Sequence, residues 1–167
     1  MTYVDLEVQE LTERSAAPYG EYLKSAGVQP AAAFDEFAFW RNLALPKIGT
    51  AALCQVESYP QKEMLCTKLE QHWNSSETLL PATGDVYLVL AKPKESAKTE
   101  IDLESVAAFR LPAGDAIMLH PGTWHYAPMV STAPAKIWVL FEESTPDNDL
   151  LLRELDKENE LTYRVHA

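Results

Sequence analysis

The stretch Leu80-Pro-Ala-Thr-Gly-Asp-Val-Tyr-Leu-Val89 returns about thirty residues later as Leu111-Pro-Ala-Gly-Asp-Ala-Ile-Met-Leu119. In both copies a proline and a Gly-Asp pair predict a turn, and each turn leads into an apolar strand. Two such units are too few for a solenoid or a propeller. Two equivalent turns at one end of a barrel are typical of a double-stranded β-helix, so the repeat predicts a jelly-roll barrel.

The rest of the chain also consists mostly of short apolar segments between turn signals, the pattern of a sandwich or barrel. Eleven prolines interrupt the chain too often for long helices. We therefore expect an all-β fold with a few short helices. The predicted strands are Tyr3–Val8, Phe37–Trp40, Ala51–Val56, Glu63–His72, Thr78–Leu80, Val86–Leu90, Val106–Leu111, Ala116–Leu119, Tyr126–Val130 and Lys136–Glu142.

Two segments are predicted to be helical. A short helix is expected within Ser15–Ala26, broken near Pro18-Tyr19-Gly20. The clearest helix covers Asp147–Asn159, because its leucines fall on one side and its acidic residues on the other.

Length and charge limit the possible functions. The chain has 167 residues, 47% hydrophobic and 23% charged, which predicts a single globular domain over residues 1–167. Its 14 Lys and Arg residues against 25 Asp and Glu give a net charge of −11. This balance argues against nucleic acid and against an anionic membrane, because both bind through Lys and Arg. We expect a small-molecule partner.

The N-terminal segment and the cysteines indicate where in the cell the protein is located. The segment Met1–Glu7 has neither the basic start nor the apolar core of a secretory signal. Cys54 and Cys66 are too few for a disulfide framework, and neither lies in a metal-binding spacing. We expect a cytoplasmic protein and leave open whether the two thiols pair.

The first cluster of candidate site residues lies on one predicted strand. Residues two apart on a strand face the same way, so Lys68, Glu70 and His72 share a face. The sequence Trp73-Asn-Ser-Ser76 predicts a hairpin turn that brings Glu77 back opposite them on the neighbouring strand.

The second cluster is His120-Pro-Gly-Thr-Trp-His125, in which two histidines bracket a Pro-Gly turn. One or two carboxylates with one or two imidazoles are a usual ligand set for Zn, Ni, Mn or non-haem Fe(II). The alternative is that a Glu-x-His pair arises by chance and that both histidines are partly buried turn residues. The combination favours a metal site, because each cluster adjoins one copy of the repeat.

The spacing of these residues resembles the two motifs of the cupins. The first cupin motif is His-x-His, three or four residues, Glu, six residues and Gly. This chain has Glu70-x-His72, then Glu77 and Gly84, with Glu in place of the first His. The second motif resembles the segment from Gly114 to His125.

A closer resemblance is to the ureidoglycolate lyase family, which has a Leu-Glu-Arg-His segment followed by Phe-Ile-Pro and a Gly-x-x-Phe-x-Val-Val strand. The corresponding segments here are Leu69-Glu-Gln-His72, Leu80-Pro81 and Gly84-Asp-Val-Tyr87. Further matches run in the family's order from about residue 6 to residue 150: Pro18-Tyr-Gly20, Trp40 to Leu43-Ala44, Tyr59-Pro60, and Trp124-His125 before Pro128.

The resemblance implies a cupin-type barrel and a homodimer. It also implies a lyase that splits ureidoglycolate into urea and glyoxylate in allantoin (purine) catabolism. In that interpretation Glu70, His72 and His125 hold a divalent metal ion, which is Ni, Zn, Mn or Fe.

The same interpretation needs a base for the hydroxyl proton of the substrate and an acid for the departing urea nitrogen. Glu77 and His120 are the candidate bases or further metal ligands. Tyr126 and Lys68 are the candidate acids, although a lysine on a strand is more often a solvated edge charge.

Several positions depart from the family's pattern. Arg41-Asn42 replaces His-Asp, Glu57 replaces Arg, Glu77 replaces Gln, and Tyr126 replaces a histidine. If the lost arginine holds the substrate carboxylate, this protein needs another cation or another substrate. The alternative hypothesis is therefore a cupin paralogue that acts on another small carboxylate or merely binds it. A purely structural domain would leave the predicted metal ligands unexplained.

Overall fold

The computed structural model describes all 167 residues of the chain. Fifteen strands make up most of the fold. In chain order they are β1 (Thr2–Glu10), β2 (Gly20–Leu23), β3 (Ala32–Ala33), β4 (Ala38–Phe39), β5 (Ala51–Ser58), β6 (Met64–Cys66), β7 (Lys68–Gln71), β8 (Glu77–Pro81), β9 (Val86–Ala91), β10 (Ala107–Leu111), β11 (Ala116–Leu119), β12 (Trp124–His125), β13 (Ala135–Glu142), β14 (Leu151–Glu154) and β15 (Leu161–His166).

The helices are short. They are α1 (Glu13–Ala16), α2 (Thr145–Asn148) and α3 (Leu155–Glu158), together with a 3-10 turn at Leu103–Ser105. None of them has the length and apolar character needed to cross a bilayer.

The strands form two facing sheets. The larger has the order β14-β7-β12-β9-β10-β1-β15-β6 and the smaller has the order β2-β11-β8-β13-β5, while β3 and β4 pair with each other. Neighbouring strands are antiparallel except β1, which is parallel to both β10 and β15. The curled sheets confirm the predicted all-β jelly-roll barrel with a few short helices.

The main core lies between the two sheets. Leu79 and Ile137 from the smaller sheet pack in one cluster with Leu88, Leu90 and Phe109 from the larger sheet. A second cluster, which includes Val89, Trp124 and Leu155, covers the other face of the larger sheet. Strand β9 is therefore buried on both faces, which explains its unbroken apolar sequence.

The two copies of the repeat bind each other at one end of the barrel. The first copy joins β8 to β9 and the second joins β10 to β11, so each turn connects one sheet to the other. The N–H of Gly114 donates to the carbonyl of Pro81 at 3.0 Å. The N–H of Ala113 donates to the carboxylate of Asp85 at 2.9 Å, and Arg110 donates to the same carboxylate. The repeat thus marks a paired structural unit, as predicted.

The predicted helix over Asp147–Asn159 is wrong. Helix α2 ends at Asn148, and Leu151–Glu154 form strand β14 against the edge of β7. Strand β15 was not predicted at all. The leucine spacing suits a helix, but the free hydrogen-bonding groups along the edge of β7 favour a strand there. Leu155 is still fully buried, at the first position of α3.

Three other boundaries also differ. The predicted strand Glu63–His72 is two strands, because β6 pairs with β15 whereas β7 pairs with β12 and β14. The segment Tyr126–Val130 is not a strand, although Met129 makes an isolated bridge to Tyr87. Within Ser15–Ala26 only Ser15 and Ala16 are helical, and Gly20–Leu23 form β2.

Candidate metal centre

Two neighbouring strands of the larger sheet bring three of the predicted ligands together. Glu70 lies on β7 directly opposite His125 of β12, and His72 follows the last residue of β7. One ligand atom from each of the three side chains lies within 4.8 Å of the other two. Both histidines are buried, whereas the Glu70 side chain is about one-third exposed (34%).

A fourth side chain reaches the cluster from the opposite sheet. The segment Trp73–Ser76 does not form the predicted hairpin, because β7 belongs to the larger sheet and β8 to the smaller one. The turn therefore crosses the barrel and places Glu77 in front of the two imidazoles. The Oε2 atom of Glu77 is 3.1 Å from Nε2 of His72 and 3.5 Å from Nε2 of His125.

Backbone carbonyls orient both imidazole rings. Nδ1 of His72 lies 2.7 Å from the carbonyl oxygen of Asp149, and Nδ1 of His125 lies 3.0 Å from that of Thr123. Because a carbonyl can only accept, each Nδ1 carries the hydrogen and donates it. The Nε2 atom of each neutral ring is then a lone-pair donor aimed at the carboxylates, the arrangement that metal-binding histidines use.

This arrangement requires a positive charge between the groups. Nε2 of His125 is buried and has no hydrogen-bond partner, and it faces Glu70 at 3.7 Å as well as Glu77. Acceptor atoms turned toward each other in a buried site are unfavourable without a proton or a cation. Two imidazoles and a carboxylate are ligands that divalent ions take, and the ligand atoms of Glu70, His72 and His125 lie within 4.8 Å of one another. The residues present therefore fit a divalent ion.

The pKa values reflect the close contact between the carboxylates and the imidazoles. Burial alone would raise the pKa of Glu77, but the charge of the nearby His125 and the close contact with His72 lower it to about 2. Burial would lower the pKa of His125, but the charges of Glu77 and Glu70 raise it to about 9. Without a metal, His125 holds a proton at neutral pH, so a metal ion has to displace that proton to bind.

The cluster opens into a small cavity of about 180 Å³. Tyr126 forms part of the wall, and burial raises the pKa of its hydroxyl, with contributions from the charges of Cys66 and Glu70. Most of the remaining wall is apolar. It includes Val56, Leu79, Val139, Phe141, Pro146 and Leu150.

The structure does not bring the other two predicted catalytic residues into this cavity. His120 is exposed and lines a separate groove together with Lys24 and Arg41. Lys68 is exposed on β7, in register with Glu154 of the edge strand β14. The positions of His120 and Lys68 therefore give no support to their predicted roles as base and acid, unlike the positions of Glu77 and Tyr126.

Some of the positions that depart from the family's pattern also lie in the cavity, and others lie outside it. Glu57 lies on β5 opposite Lys136 and is exposed, and it does not line the metal cavity. Arg41 and Asn42 line the separate groove. Only the departures at Glu77 and Tyr126 lie in the cavity itself.

Asp149 is a residue of the site that was not predicted as such. Its carboxylate accepts the N–H groups of Trp73 at 2.8 Å and Asn74 at 2.7 Å, and its carbonyl accepts from His72. It therefore holds both His72 and the turn that leads to Glu77. No local signal reveals this role, because the partners lie more than seventy residues away in sequence.

Comparison with known proteins gives one family match. The family model described as ureidoglycolate lyase matches residues 4–162, nearly the whole chain. No curated protein matches the chain in sequence.

One solved structure with a TM-score above 0.5 supports the fold. A dTDP sugar isomerase from Desulfovibrio desulfuricans G20 superposes with a TM-score of 0.52 and 12% identity, covering 84% of this chain and 88% of that one. A chain of oxalate decarboxylase is similar over 64% of this chain, with a TM-score of 0.44 and 18% identity. This chain spans 24% of the oxalate decarboxylase chain. At 12% identity the likeness to the isomerase concerns the fold alone.

Proposed function

The chain belongs to the ureidoglycolate lyase family, and on that premise we propose that it cleaves ureidoglycolate to glyoxylate and urea in allantoin catabolism. The observation that carries this proposal is the convergence of Glu70, His72 and His125 on one point beside Glu77. These side chains would hold a divalent ion, which is Ni, Zn, Mn or Fe. When bound, the ion supplies a Lewis acid that stabilises developing negative charge on a substrate oxygen.

The protein's own residues provide the proton transfers. Glu77 is the only other carboxylate in the cavity and lies beside the two imidazoles, so it is the group placed to accept the proton of the substrate hydroxyl. As that proton leaves, the carbon–nitrogen bond breaks, the hydroxyl carbon becomes the aldehyde of glyoxylate, and the bonding electrons go to the urea nitrogen.

Tyr126 is the group placed to protonate the departing nitrogen. Its hydroxyl is protonated at neutral pH because its pKa is raised above 10.0. Glu77 then passes the proton that it took from the substrate to Tyr126. Both residues are back in their starting protonation states at the end of the cycle. The overall reaction moves one proton from the substrate oxygen to the urea nitrogen.

A comparison of two histidine variants tests this function. We expect the purified protein to release glyoxylate above the spontaneous rate, with His72→Ala reducing the release at least about 100-fold. His120→Ala is the matched control, because it removes an exposed imidazole outside the cavity, and we expect nearly unchanged release. Equal activity of His72→Ala and the unaltered protein would contradict the proposed site.

We also propose that the protein is a cytoplasmic homodimer. Support for the dimer comes from the outer face of the smaller sheet, where Trp138 and Leu80 are paired in register and about 40% exposed (41% and 39%). Leu53 on β5 is 66% exposed, and β5 is the unpaired edge of that sheet. Exposed apolar patches and free strand edges favour association. Light scattering is expected to give twice the mass of the chain, and the monomer mass would overturn the dimer.

A further inference from the structure

The metal cavity contains no basic side chain. Its polar wall consists of Glu70, His72, Glu77 and His125, with the Tyr126 hydroxyl and the Cys54 thiol. Neither lysine nor arginine lines it, so an anionic ligand finds no fixed positive charge from the protein. Arg41, a basic residue at one of the altered positions, belongs to the separate groove.

The charge of the assembled centre does not supply the missing attraction. Two ionised carboxylates, Glu70 and Glu77, cancel the charge of one divalent ion, and the imidazoles are neutral when they bind a metal. The attraction for a carboxylate would therefore have to come from the ion itself, and a neighbouring hydroxyl would strengthen it. This requirement selects molecules with a hydroxyl next to a carboxylate.

The size and the chemistry of the cavity wall determine which substituent the bound 2-hydroxy acid can carry. A volume of about 180 Å³ is below the 300–1,000 Å³ of typical drug-sized sites, so the ligand is small. Val56, Leu79, Val139 and Phe141 offer no hydrogen-bonding side chains. A ureido group, with several N–H donors and a carbonyl, leaves polar atoms unpaired against such a wall. A branched alkyl group of the same shape gains from burial.

We propose that this cavity takes small 2-hydroxy acids with a compact branched alkyl group, and binds them more tightly than 2-hydroxy acids without one. The inference rests on the proposed function, because it needs the metal centre described above. A suitable probe is 2-hydroxy-4-methylpentanoate, which matches ureidoglycolate atom for atom in branching but replaces the ureido group by an alkyl group. Glycolate is the reference, since it keeps the chelating end and lacks the alkyl group.

Calorimetric titration of the zinc-loaded protein tests the inference. We expect 2-hydroxy-4-methylpentanoate to bind about tenfold more tightly than glycolate, or better, because several buried carbon groups are added. It should also inhibit glyoxylate release competitively at concentrations where glycolate does not. Equal affinity for the two acids would overturn the inference.

A variant of the wall adds a second test. Val56→Thr replaces a methyl by a hydroxyl on a half-buried residue of β5, where threonine is well tolerated in a strand. We expect it to reduce the ratio of the two affinities about threefold while metal binding stays unchanged. The matched control is Gln55→Thr, which puts the same side chain on the opposite face of the same strand and should leave the ratio unaltered.

The outcomes separate this inference from the proposed function. If the protein does not bind zinc, or binds both acids equally well without it, the metal centre itself is wrong. If zinc binds and the acids need it, but the alkyl group adds no affinity, the metal centre stands and only the selectivity for alkyl groups is wrong.

Discussion

Asp149 connects the metal centre to the rest of the barrel through three hydrogen bonds. Its carbonyl fixes the ring of His72, and its carboxylate holds the N–H groups of Trp73 and Asn74. The carboxylate therefore controls the start of the turn that crosses from β7 to Glu77. A residue of this kind positions the ligands without touching the metal.

Replacing Asp149 by alanine is expected to weaken metal binding about tenfold, because the turn loses both acceptors and His72 is held less firmly. Asp149→Asn retains one acceptor, so its metal affinity should lie between those of Asp149→Ala and the unaltered protein. Competition with a coloured chelator measures both affinities. Asp147→Ala is the control, since Asp147 is an exposed residue of the adjacent helix α2. An unchanged affinity in Asp149→Ala would contradict the positioning role.

Gly122 shows how closely the two histidine clusters pack. Its φ of 90° is in the left-handed region, its N–H donates to the carbonyl of His72, and an added Cβ would lie 1.7 Å from the ring of Trp73. Gly114 has the same φ but open space around it. A comparison of substitutions at Gly114 and Gly122 therefore distinguishes the cost of backbone strain from the cost of steric overlap.

Gly114→Ala is expected to lower the free energy of unfolding by about 1 kcal/mol through strain alone. Gly122→Ala should cost more, about 2–4 kcal/mol, because the Trp73 ring must also move. Urea unfolding followed by tryptophan fluorescence measures both. Equal losses in the two variants would show that Trp73 does not pack on Gly122 as described.

The side chains of the candidate site were partly predictable. Glu70, His72 and His125 could be recognised because their spacing on strands is local. Glu77 was also identified, but it was predicted on the neighbouring strand of a hairpin and lies instead on the opposite sheet. A sequence does not show which turn crosses between sheets. His120 lies outside the cavity, because residues beside a Pro-Gly turn can point either way.

At the scale of elements, the repeated Pro and Gly-Asp turns organise one end of the barrel. Asp85 of the first turn accepts from the N–H of Ala113 in the second turn and from Arg110. These two contacts, the backbone N–H first, lower the pKa of Asp85 below its ordinary value of 3.8. A lowered folded-state pKa means that the carboxylate stabilises the fold above about pH 4 and that this stabilisation is lost as the pH falls further.

Asp85→Asn is therefore expected to reduce the free energy of unfolding at pH 7 by about 1 kcal/mol. A larger loss is not expected, because Asp85 and Arg110 are each more than one-third exposed to solvent (35% and 39%), which weakens the ion pair. The difference between the variant and the unaltered protein should shrink when unfolding is repeated at pH 3. A difference that stays constant between pH 7 and pH 3 would contradict this account.

Most strands could be predicted from hydrophobic alternation and turn signals in the sequence. The strands of the C-terminal region could not. The segment 147–159 has the leucine spacing of a helix, yet part of it extends the larger sheet as β14. The outcome depends on a free edge at β7 that is far away in sequence. Strand β15 was missed for the same reason, because it pairs with β1 and β6 rather than with a neighbour in the chain.

At the scale of the whole molecule, the site exists because two sheets face each other. The larger sheet supplies Glu70, His72 and His125, and the smaller sheet supplies Glu77 and much of the apolar wall. Neither sheet alone encloses the cavity. Metal binding should therefore also stabilise the fold, because only the folded chain brings Glu70, His72 and His125 together.

The most direct test of this account is to strip the protein of metal and follow glyoxylate release as a divalent ion is added back. We predict that release from ureidoglycolate rises with the ion and saturates at one bound ion per chain. His125→Ala, in contrast, should neither retain the ion nor regain activity. Full release by the metal-free protein, or equal recovery in His125→Ala, would contradict the central claim.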